Sequence, residues 1–201
     1  KNHIPFFDCA YQGFASGDLD RDAASVRLFV DEFNMEVFAC QSYAKNFGLY
    51  GERIGALVFA CNTPQTASAI LSQLKSIIRA NYSSPPLQGA RIVAMTLADD
   101  KLFDLWKEDL VTMANRIKEM RQCLYDALKK RGTPGQWEHI VNQIGMFSYT
   151  GLNEQQVDRM IKHHHIYMTS DGRISMSGLN LNNIEAFADA FDETVRYGAS
   201  R

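Results

Sequence analysis

The sequence predicts an α/β fold joined by a long helix to a smaller α+β unit, and three observations support this. Short apolar runs alternate with helix-like segments through the first half of the chain, which favours packed α/β layers over separate all-α and all-β units. A long apolar stripe then indicates one long helix. Beyond the break GTPG at 132–135, short strand-like runs interleave with two more helix patterns.

The first half contains the more apolar of the predicted strands. The run IGALVFAC at 54–61 is typical of a strand buried on both faces of a parallel sheet. Thr63 and Pro64 then form a helix N-cap and first turn, and the prolines at 85–86 end that helix. The other predicted elements of this half are a strand over 4–7 that ends in a loop at Asp8, a helix over 23–33, a strand over 37–40 and a helix over 88–97.

In the second half, apolar residues recur at alternating spacings of three and four. The stripe consists of Phe103, Trp106, Leu110, Met113, Ile117, Met120 and Leu124. It predicts a helix over 101–130, which at 1.5 Å per residue is roughly 45 Å long and could join two domains. The later predicted elements are strands over 146–149, 166–168 and 173–176, and helices over 153–163 and 183–197.

Composition argues against several classes of protein. A net charge of −2 over 201 residues gives no reason to expect nucleic acid or a membrane surface as a partner. No apolar run approaches the roughly 20 residues that span a bilayer, and the first residues lack a signal-peptide core. The four cysteines fit neither a zinc ribbon nor a disulfide framework, so we expect reduced thiols. The histidines at 163–165 predict a solvated helix end rather than a metal site.

The segment QSYAKNFGLYGERIG at 41–55 places one lysine, Lys45, just after a predicted strand. A strand-end lysine in a chain without a metal signature suggests covalent catalysis through a Schiff base. Ser42 and Arg53 flank it and could bind a phosphate as hydroxyl donor and bidentate cation. Asp8 and Tyr11 add an acid and a phenol after another strand, and these groups together are what pyridoxal phosphate requires. Each residue alone is more often structural.

Five blocks of the sequence closely resemble the aspartate aminotransferase family of fold type I pyridoxal-phosphate enzymes. The resemblance covers essentially the whole chain in the order of that family. The blocks are PFFDCAYQGFASGDLDRDA, SYAKNFGLYGERIG, IRANYSSPPLQGARIV, QIGMFSYTGL and DGRISMSGL.

The resemblance implies that pyridoxal 5'-phosphate is the cofactor and assigns a role to each site residue. Lys45 forms the Schiff base and carries a proton between the substrate α-carbon and the cofactor. Asp8 pairs with the pyridine nitrogen, and Tyr11 hydrogen-bonds the ring oxygen. Ser42 and Arg53 hold the phosphate.

The same resemblance implies a substrate with two carboxylates. Arg173 grips the α-carboxylate, and Phe147 packs beside the substrate and Arg173. Arg79 binds the side-chain carboxylate across the interface of a homodimer, with Ser83 nearby. The implied reaction is reversible amino-group transfer between L-aspartate and 2-oxoglutarate, giving oxaloacetate and L-glutamate. Taken alone, the two arginines could instead be a solvated helix residue and a turn residue.

The resemblance covers only the C-terminal half of the family pattern. It implies that residues 1–112 end the large cofactor domain and that 113–201 form most of the small domain. The glycine-containing phosphate loop, the aromatic residue stacked on the cofactor and several sheet strands have no counterpart here. Two alternatives therefore remain: a catalytically incompetent portion of the enzyme, or a related aminotransferase acting on aromatic as well as dicarboxylic amino acids. Cytoplasmic, mitochondrial and plastid locations all fit the family.

Overall fold

Several helices in the computed structural model, which describes residues 3–199, begin at a short polar side chain that caps them. Thr63 Oγ1 accepts a hydrogen bond from the backbone N–H of Thr66 at 3.1 Å, and Pro64 occupies the first helical turn. Asn153 forms a complete capping box with Gln156. Such caps satisfy backbone donors that the first turn leaves unpaired. The predicted start of a helix at Thr63 and Pro64 is therefore confirmed.

The described chain contains five strands, eight α-helices and two short helical segments. The strands are β1 (Phe6–Cys9), β2 (Val37–Ser42), β3 (Gly55–Ala60), β4 (Phe147–Tyr149) and β5 (Arg173–Ser175). The α-helices are α1 (Leu19–Asp22), α2 (Ala24–Arg27), α3 (Pro64–Tyr82), α4 (Gln88–Ala98), α5 (Asp100–Arg131), α6 (Glu138–Asn142), α7 (Glu154–His164) and α8 (Ile184–Ala199). A π-helical segment covers Leu28–Glu32 and a 3-10 turn covers Met176–Gly178.

The strands form two separate sheets. In the first, β2 lies in the centre, pairing in parallel with β1 and antiparallel with β3. Its register sets Asp8 opposite Cys40 and Gly55 opposite Ser42. The second sheet is the antiparallel pair of β4 and β5.

The interpretation of 54–61 as a doubly buried strand of a parallel sheet is wrong. The strand exists, but β3 runs antiparallel to β2 and lies at the edge of the sheet as it is described. The side chains of Leu57 and Val58 are 40% and 59% exposed. An apolar run indicates which side chains avoid water. It does not indicate the direction of the neighbouring strand, which depends on the segment that connects the two strands.

Three further predicted features differ from the structure. Asp8 lies inside β1, and not in the loop after it. Helical structure over 19–32 is divided into α1, α2 and the π-helical segment, where the N–H of Phe33 reaches back five residues to Leu28. The predicted strand at 166–168 is absent: the N–H of Ile166 instead bonds the Met160 carbonyl to close α7, and His165 adopts a left-handed conformation at φ 54°.

The predicted long helix is confirmed as α5, and its stripe is buried from Leu110 onward except at Met113, which is half-buried. Leu110, Ile117, Met120 and Leu124 are all at most 3% exposed, so this face supplies the core, as its periodicity predicted. The described chain divides into two compact units, one of residues 1–13 and 17–110 and one of 14–16 and 111–201, with the division inside α5. In the second unit, the helices α7 and α8 pack together, with Val157, Met160, Phe187 and Phe191 in the core.

An ionic cluster ties α7 to α8. The carboxylate of Glu193 on α8 accepts hydrogen bonds from Arg159 and, at 2.9 Å, from His164. The hydrogen bonds from Arg159 and then His164 outweigh partial burial and lower the pKa of Glu193 to about 2. His164 is thus hydrogen-bonded to Glu193, whereas the sequence predicted a solvated helix end. No described helix combines the length and apolarity that crossing a bilayer requires.

Candidate active site

Three of the predicted site residues line one cavity beside the ends of β1 and β2. Asp8, Ser42 and Arg53 all border this cavity, whose volume is about 290 Å³. Ser42 is two residues beyond Cys40, which pairs with Asp8, so the acid and the hydroxyl project to the same face of the sheet. The volume is just below the range for small-molecule pockets, roughly 300–1,000 Å³.

Lys45 lies in the loop that follows β2. The neighbours on either side of it, Ala44 and Asn46, are each only 2% exposed, whereas Lys45 is half-buried. Its Nζ atom lies 5.2 Å from the centre of the Tyr11 ring, close enough for a cation–π interaction. The structure therefore brings the predicted lysine and phenol together, although neither lines the cavity of Asp8 and Ser42.

Close packing on both sides fixes the segment that carries Arg53. Arg53 has a left-handed backbone at φ 51°, and its guanidinium donates to the Tyr50 carbonyl at 3.0 Å. Gly89 of α4 has no side chain, and a Cβ there would lie 2.9 Å from the Cβ of Glu52. At Gly55, a Cβ would lie 2.7 Å from the Gln41 carbonyl oxygen. Glycine at position 89 allows α4 to approach the arginine loop, and glycine at position 55 allows β3 to approach β2 directly after that loop.

Arg79 and Ser83 lie together at the C-terminal end of α3. The guanidinium of Arg79 donates a hydrogen bond to the Ser83 hydroxyl, and both residues are exposed. Ser83 caps the helix with φ 64°, a backbone conformation that non-glycine residues adopt only rarely. This pair presents a planar cation and a hydroxyl at one point on the surface of the first unit.

In the second unit, Arg173 stacks on Phe147 across the β4–β5 pair. The guanidinium carbon is 4.9 Å from the Phe147 ring centre, and Arg173 is exposed. Tyr149 lies directly opposite Arg173 in the register, so Phe147 is its diagonal neighbour on the same face. The preceding Gly172 has φ +81°, and a Cβ there would lie 2.8 Å from the Leu152 carbonyl oxygen. The turn therefore requires glycine just before the arginine.

A buried arginine that the sequence did not single out supports β4. Arg121 on α5 is 3% exposed and donates to the carbonyls of Ile140 at 3.0 Å, Gly145 at 2.8 Å and Phe147 at 2.5 Å. Burial lowers the pKa of its guanidinium. A lone arginine in a helical sequence resembles a surface residue, so only its place beside the apolar stripe could have drawn attention to it.

Sequence reasoning also missed the thiol of Cys40, which borders the cavity with Asp8 and Ser42. Partial burial, with smaller contributions from Asp8 and Cys40, raises the pKa of the adjacent Cys9 thiol. All four cysteines are free. Within residues 3–199, no group of three or more His, Cys, Asp or Glu side chains is arranged to hold a metal ion.

Comparison with known proteins adds to this geometry. The model of the family described as Aminotransferase class I and II matches residues 1–191. The cytoplasmic aspartate aminotransferase of Dictyostelium discoideum is 56% identical over 195 residues, which make up 97% of this chain and 44% of that protein. Other relatives at 55% identity are named as chloroplastic and as mitochondrial.

Solved structures give the same result. The aspartate aminotransferase from Saccharomyces cerevisiae cytoplasm matches with a TM-score of 0.94 at 51% identity, over 98% of this chain and 49% of that one. The broad specificity aminotransferase from Leishmania mexicana also has a TM-score of 0.94, at 42% identity over 98% of this chain and 48% of that one. The chain thus spans slightly less than half the length of the relatives it matches.

Proposed function

The chain belongs to the aminotransferase class I and II family, and on that premise we propose that its protein transfers an amino group reversibly between L-aspartate and 2-oxoglutarate, giving oxaloacetate and L-glutamate. The family resemblance and the α/β fold of a fold type I aminotransferase are both confirmed. Curated aspartate aminotransferases that are 50–57% identical over most of the chain support the choice of reaction. The observation that carries the proposal is the cavity shared by Asp8, Ser42 and Arg53, with Lys45 in the next loop.

These residues fit the pyridoxal 5'-phosphate that enzymes of this family use. A hydroxyl and a guanidinium on one cavity wall suit a phosphate, and the carboxylate of Asp8 on the same cavity suits a protonated ring nitrogen. When bound, this cofactor supplies an electron sink for a carbanion at the substrate α-carbon. We propose that Ser42 and Arg53 would bind the phosphate. Asp8 would keep the ring nitrogen protonated.

Lys45 is the proposed catalytic residue. Its amine would hold the cofactor covalently, and the same Nζ atom, when free, would take a proton from the substrate α-carbon and return it. The Tyr11 hydroxyl would hold the ring oxygen of the cofactor by donating a hydrogen bond to it. The 5.2 Å separation of Nζ from the Tyr11 ring supports a shared role for the two side chains.

Arg173 and Arg79 are the proposed substrate-binding cations. Two planar guanidinium groups suit the two carboxylates of aspartate or glutamate. Arg173 binds the α-carboxylate, with Phe147 packed against its guanidinium face, and Arg79 binds the side-chain carboxylate. Ser83 orients Arg79 through the hydrogen bond between them.

The proposal includes the organisation of the protein. Residues 1–112 are assigned to the large cofactor-binding domain and 113–201 to the small domain. We propose a homodimer in which Arg79 and Ser83 serve the site of the partner subunit, which the exposure of both residues permits. The compartment is proposed to be one of the three named for the relatives: cytoplasm, mitochondrion or plastid.

The test is covalent capture of pyridoxal phosphate. The protein at its natural length is titrated with pyridoxal phosphate, reduced with borohydride and digested, and the modified lysine is identified by mass spectrometry. We expect a visible absorption band in the wild type that aspartate removes, and label on Lys45. Lys45→Ala should lose both, whereas Lys75→Ala, at an exposed lysine of α3, should retain both. A wild type without label at Lys45 would identify the protein as catalytically incompetent.

A second candidate, an aminotransferase that also accepts aromatic amino acids, is favoured by the likeness to the broad specificity enzyme of Leishmania mexicana. The two candidates differ in kcat/KM for aspartate against phenylalanine. Replacing Arg79 by leucine removes a charged hydrogen bond worth about 1.5–3 kcal/mol. We therefore expect aspartate turnover to fall by roughly 10- to 150-fold, with phenylalanine turnover nearly unchanged. Equal loss for both substrates would contradict the role given to Arg79.

A further inference from the structure

We propose that Trp106 of α5 is a positioning residue that holds the Lys45 loop in place and so fixes where the lysine amine lies. The proposal rests on the proposed function only in treating Lys45 as the reactive amine. It concerns the first unit alone, because Trp106 and the loop at 43–48 both belong to it.

Trp106 contacts the loop immediately after the lysine in two ways. Its indole Nε1–H donates a hydrogen bond to the Asn46 carbonyl at 2.8 Å. Its ring stacks on Phe47, with the centroids 4.4 Å apart and the planes inclined by 25°. The hydrogen bond fixes the distance of the Asn46 carbonyl from the indole, and the stacking restricts the orientation of the Phe47 ring. Together the two contacts orient the peptide that follows Lys45.

The two sides of Lys45 are held differently. On the N-terminal side the sheet itself provides the anchors: the N–H of Tyr43 bonds the Ile54 carbonyl at 3.1 Å, and the N–H of Ala44 bonds Ser42 Oγ at 3.2 Å. On the C-terminal side the chain has left the sheet and turns, with the N–H of Gly48 bonded to the carbonyl of Lys45 itself at 3.1 Å. There the contacts from α5 replace those of a neighbouring strand.

The Asn46 side chain adds only a weak tether. Asn46 Nδ2 reaches the Gln12 carbonyl at 3.4 Å, a long hydrogen bond, and its buried Oδ1 has no hydrogen-bond partner among residues 3–199. The direct bond from the indole is far shorter. Among the contacts described for this residue, the one to Trp106 therefore fixes the backbone after the lysine.

A generic packing role would not need an indole. Phenylalanine at position 106 would still provide a ring beside Phe47 but could not donate to the Asn46 carbonyl. The chain contains two tryptophans, and the other, Trp137, also donates to a backbone carbonyl, that of Thr133 at 3.2 Å. Trp137 belongs to the second unit. Trp137→Phe therefore removes the same kind of hydrogen bond away from the Lys45 loop and is the matched control.

The first experiment measures the amine without any cofactor. Wild type, Trp106→Phe and Trp137→Phe at natural length are labelled with trace acetic anhydride at a temperature where circular dichroism shows all three folded. Mass spectrometry then gives the labelling rate of each lysine. We expect Lys45 in Trp106→Phe to react at least fivefold faster than in wild type, because the loop samples more exposed conformations. Lys75 and all lysines of Trp137→Phe should react as in wild type.

The second experiment measures capture of pyridoxal phosphate. We expect its dissociation constant to rise about tenfold in Trp106→Phe, since a smaller fraction of molecules presents the amine at the productive place. Trp137→Phe should match wild type. Failure of the wild type itself to capture pyridoxal phosphate would reject the proposed function, while the labelling rates would still test the role of Trp106.

Two results would overturn the inference. One is a Lys45 labelling rate in Trp106→Phe that exceeds the wild-type rate by less than fivefold. The other is an equal acceleration in Trp137→Phe, which would indicate general loosening. Should Trp106→Phe not fold, Phe47→Leu removes the stacked ring while leaving the indole donor, and the same fivefold criterion applies to it.

Discussion

Replacing Arg121 by methionine tests whether the second unit depends on one buried guanidinium. Methionine keeps an unbranched apolar stem like that of arginine, but it is shorter and donates no hydrogen bond. Three carbonyls, those of Ile140, Gly145 and Phe147, lose their contacts to this donor. One of these hydrogen bonds is buried and two are part-buried, so we use about 1 kcal/mol each, the low end for an unsatisfied acceptor, and expect a loss of about 3 kcal/mol. That is a large part of the roughly 5–15 kcal/mol by which native proteins are stable.

Hydrogen–deuterium exchange can measure this loss of stability separately for the second unit. Peptides that cover β4 and β5 should exchange about a hundredfold faster in Arg121→Met, the equivalent of about 3 kcal/mol in opening free energy. Arg116→Met is the matched control, because Arg116 is on the same helix and also donates to carbonyls, at 2.8 Å for Leu179, yet is exposed. Equal exchange in the two variants would refute the argument that burial makes Arg121 important.

Two further predictions concern the sheet and the α7–α8 contact. Gly55→Ala places a Cβ 2.7 Å from a carbonyl oxygen of β2 and should lower the free energy of unfolding by about 2 kcal/mol in urea titrations, whereas Gly51→Ala, with nothing within 4 Å, should change it little. Hydrogen bonds from Arg159 and then His164 lower the pKa of Glu193 to about 2, below its value in the unfolded chain. The ionised carboxylate therefore stabilises the folded state above the unfolded pKa, and this contribution disappears as the pH falls toward 2. The melting temperature of wild type should exceed that of Glu193→Gln at pH 6, and the difference should vanish near pH 2; a constant difference would contradict this ionic account.

Features set by nearby residues could be predicted from the sequence. The start of α3 follows from Thr63 and Pro64, and the buried face of α5 from its stripe. Ser42 and Arg53 are close in sequence, so their shared cavity follows from one strand and the loop after it, which also carries Lys45. The approach of Asp8 to Ser42 does not, since it depends on the parallel pairing of β1 with β2.

Features set by distant partners could not be predicted. The strand expected at 166–168 is replaced by the close of α7 and a turn, in which the N–H of Gly172 bonds the Thr169 carbonyl. Trp106 was correctly placed on an apolar stripe, but a stripe specifies a face and not an atom, so the bond from its indole to Asn46 was not foreseen. Arg121 was missed for the converse reason: a charged residue is buried only when distant carbonyls surround it.

The mixed pairing of the first sheet has a consequence for the order of folding. β2 and β3 are joined by residues 43–54, whereas β1 and β2 are joined by residues 10–36, a connection more than twice as long. Closing the longer connection costs roughly 0.6 kcal/mol more per doubling of length, and contacts distant in sequence generally form later. We therefore expect the antiparallel pair to form first, bringing Ser42 and Arg53 together as it closes. Asp8 then joins last, so the cavity gains its acid only when folding of the sheet is complete.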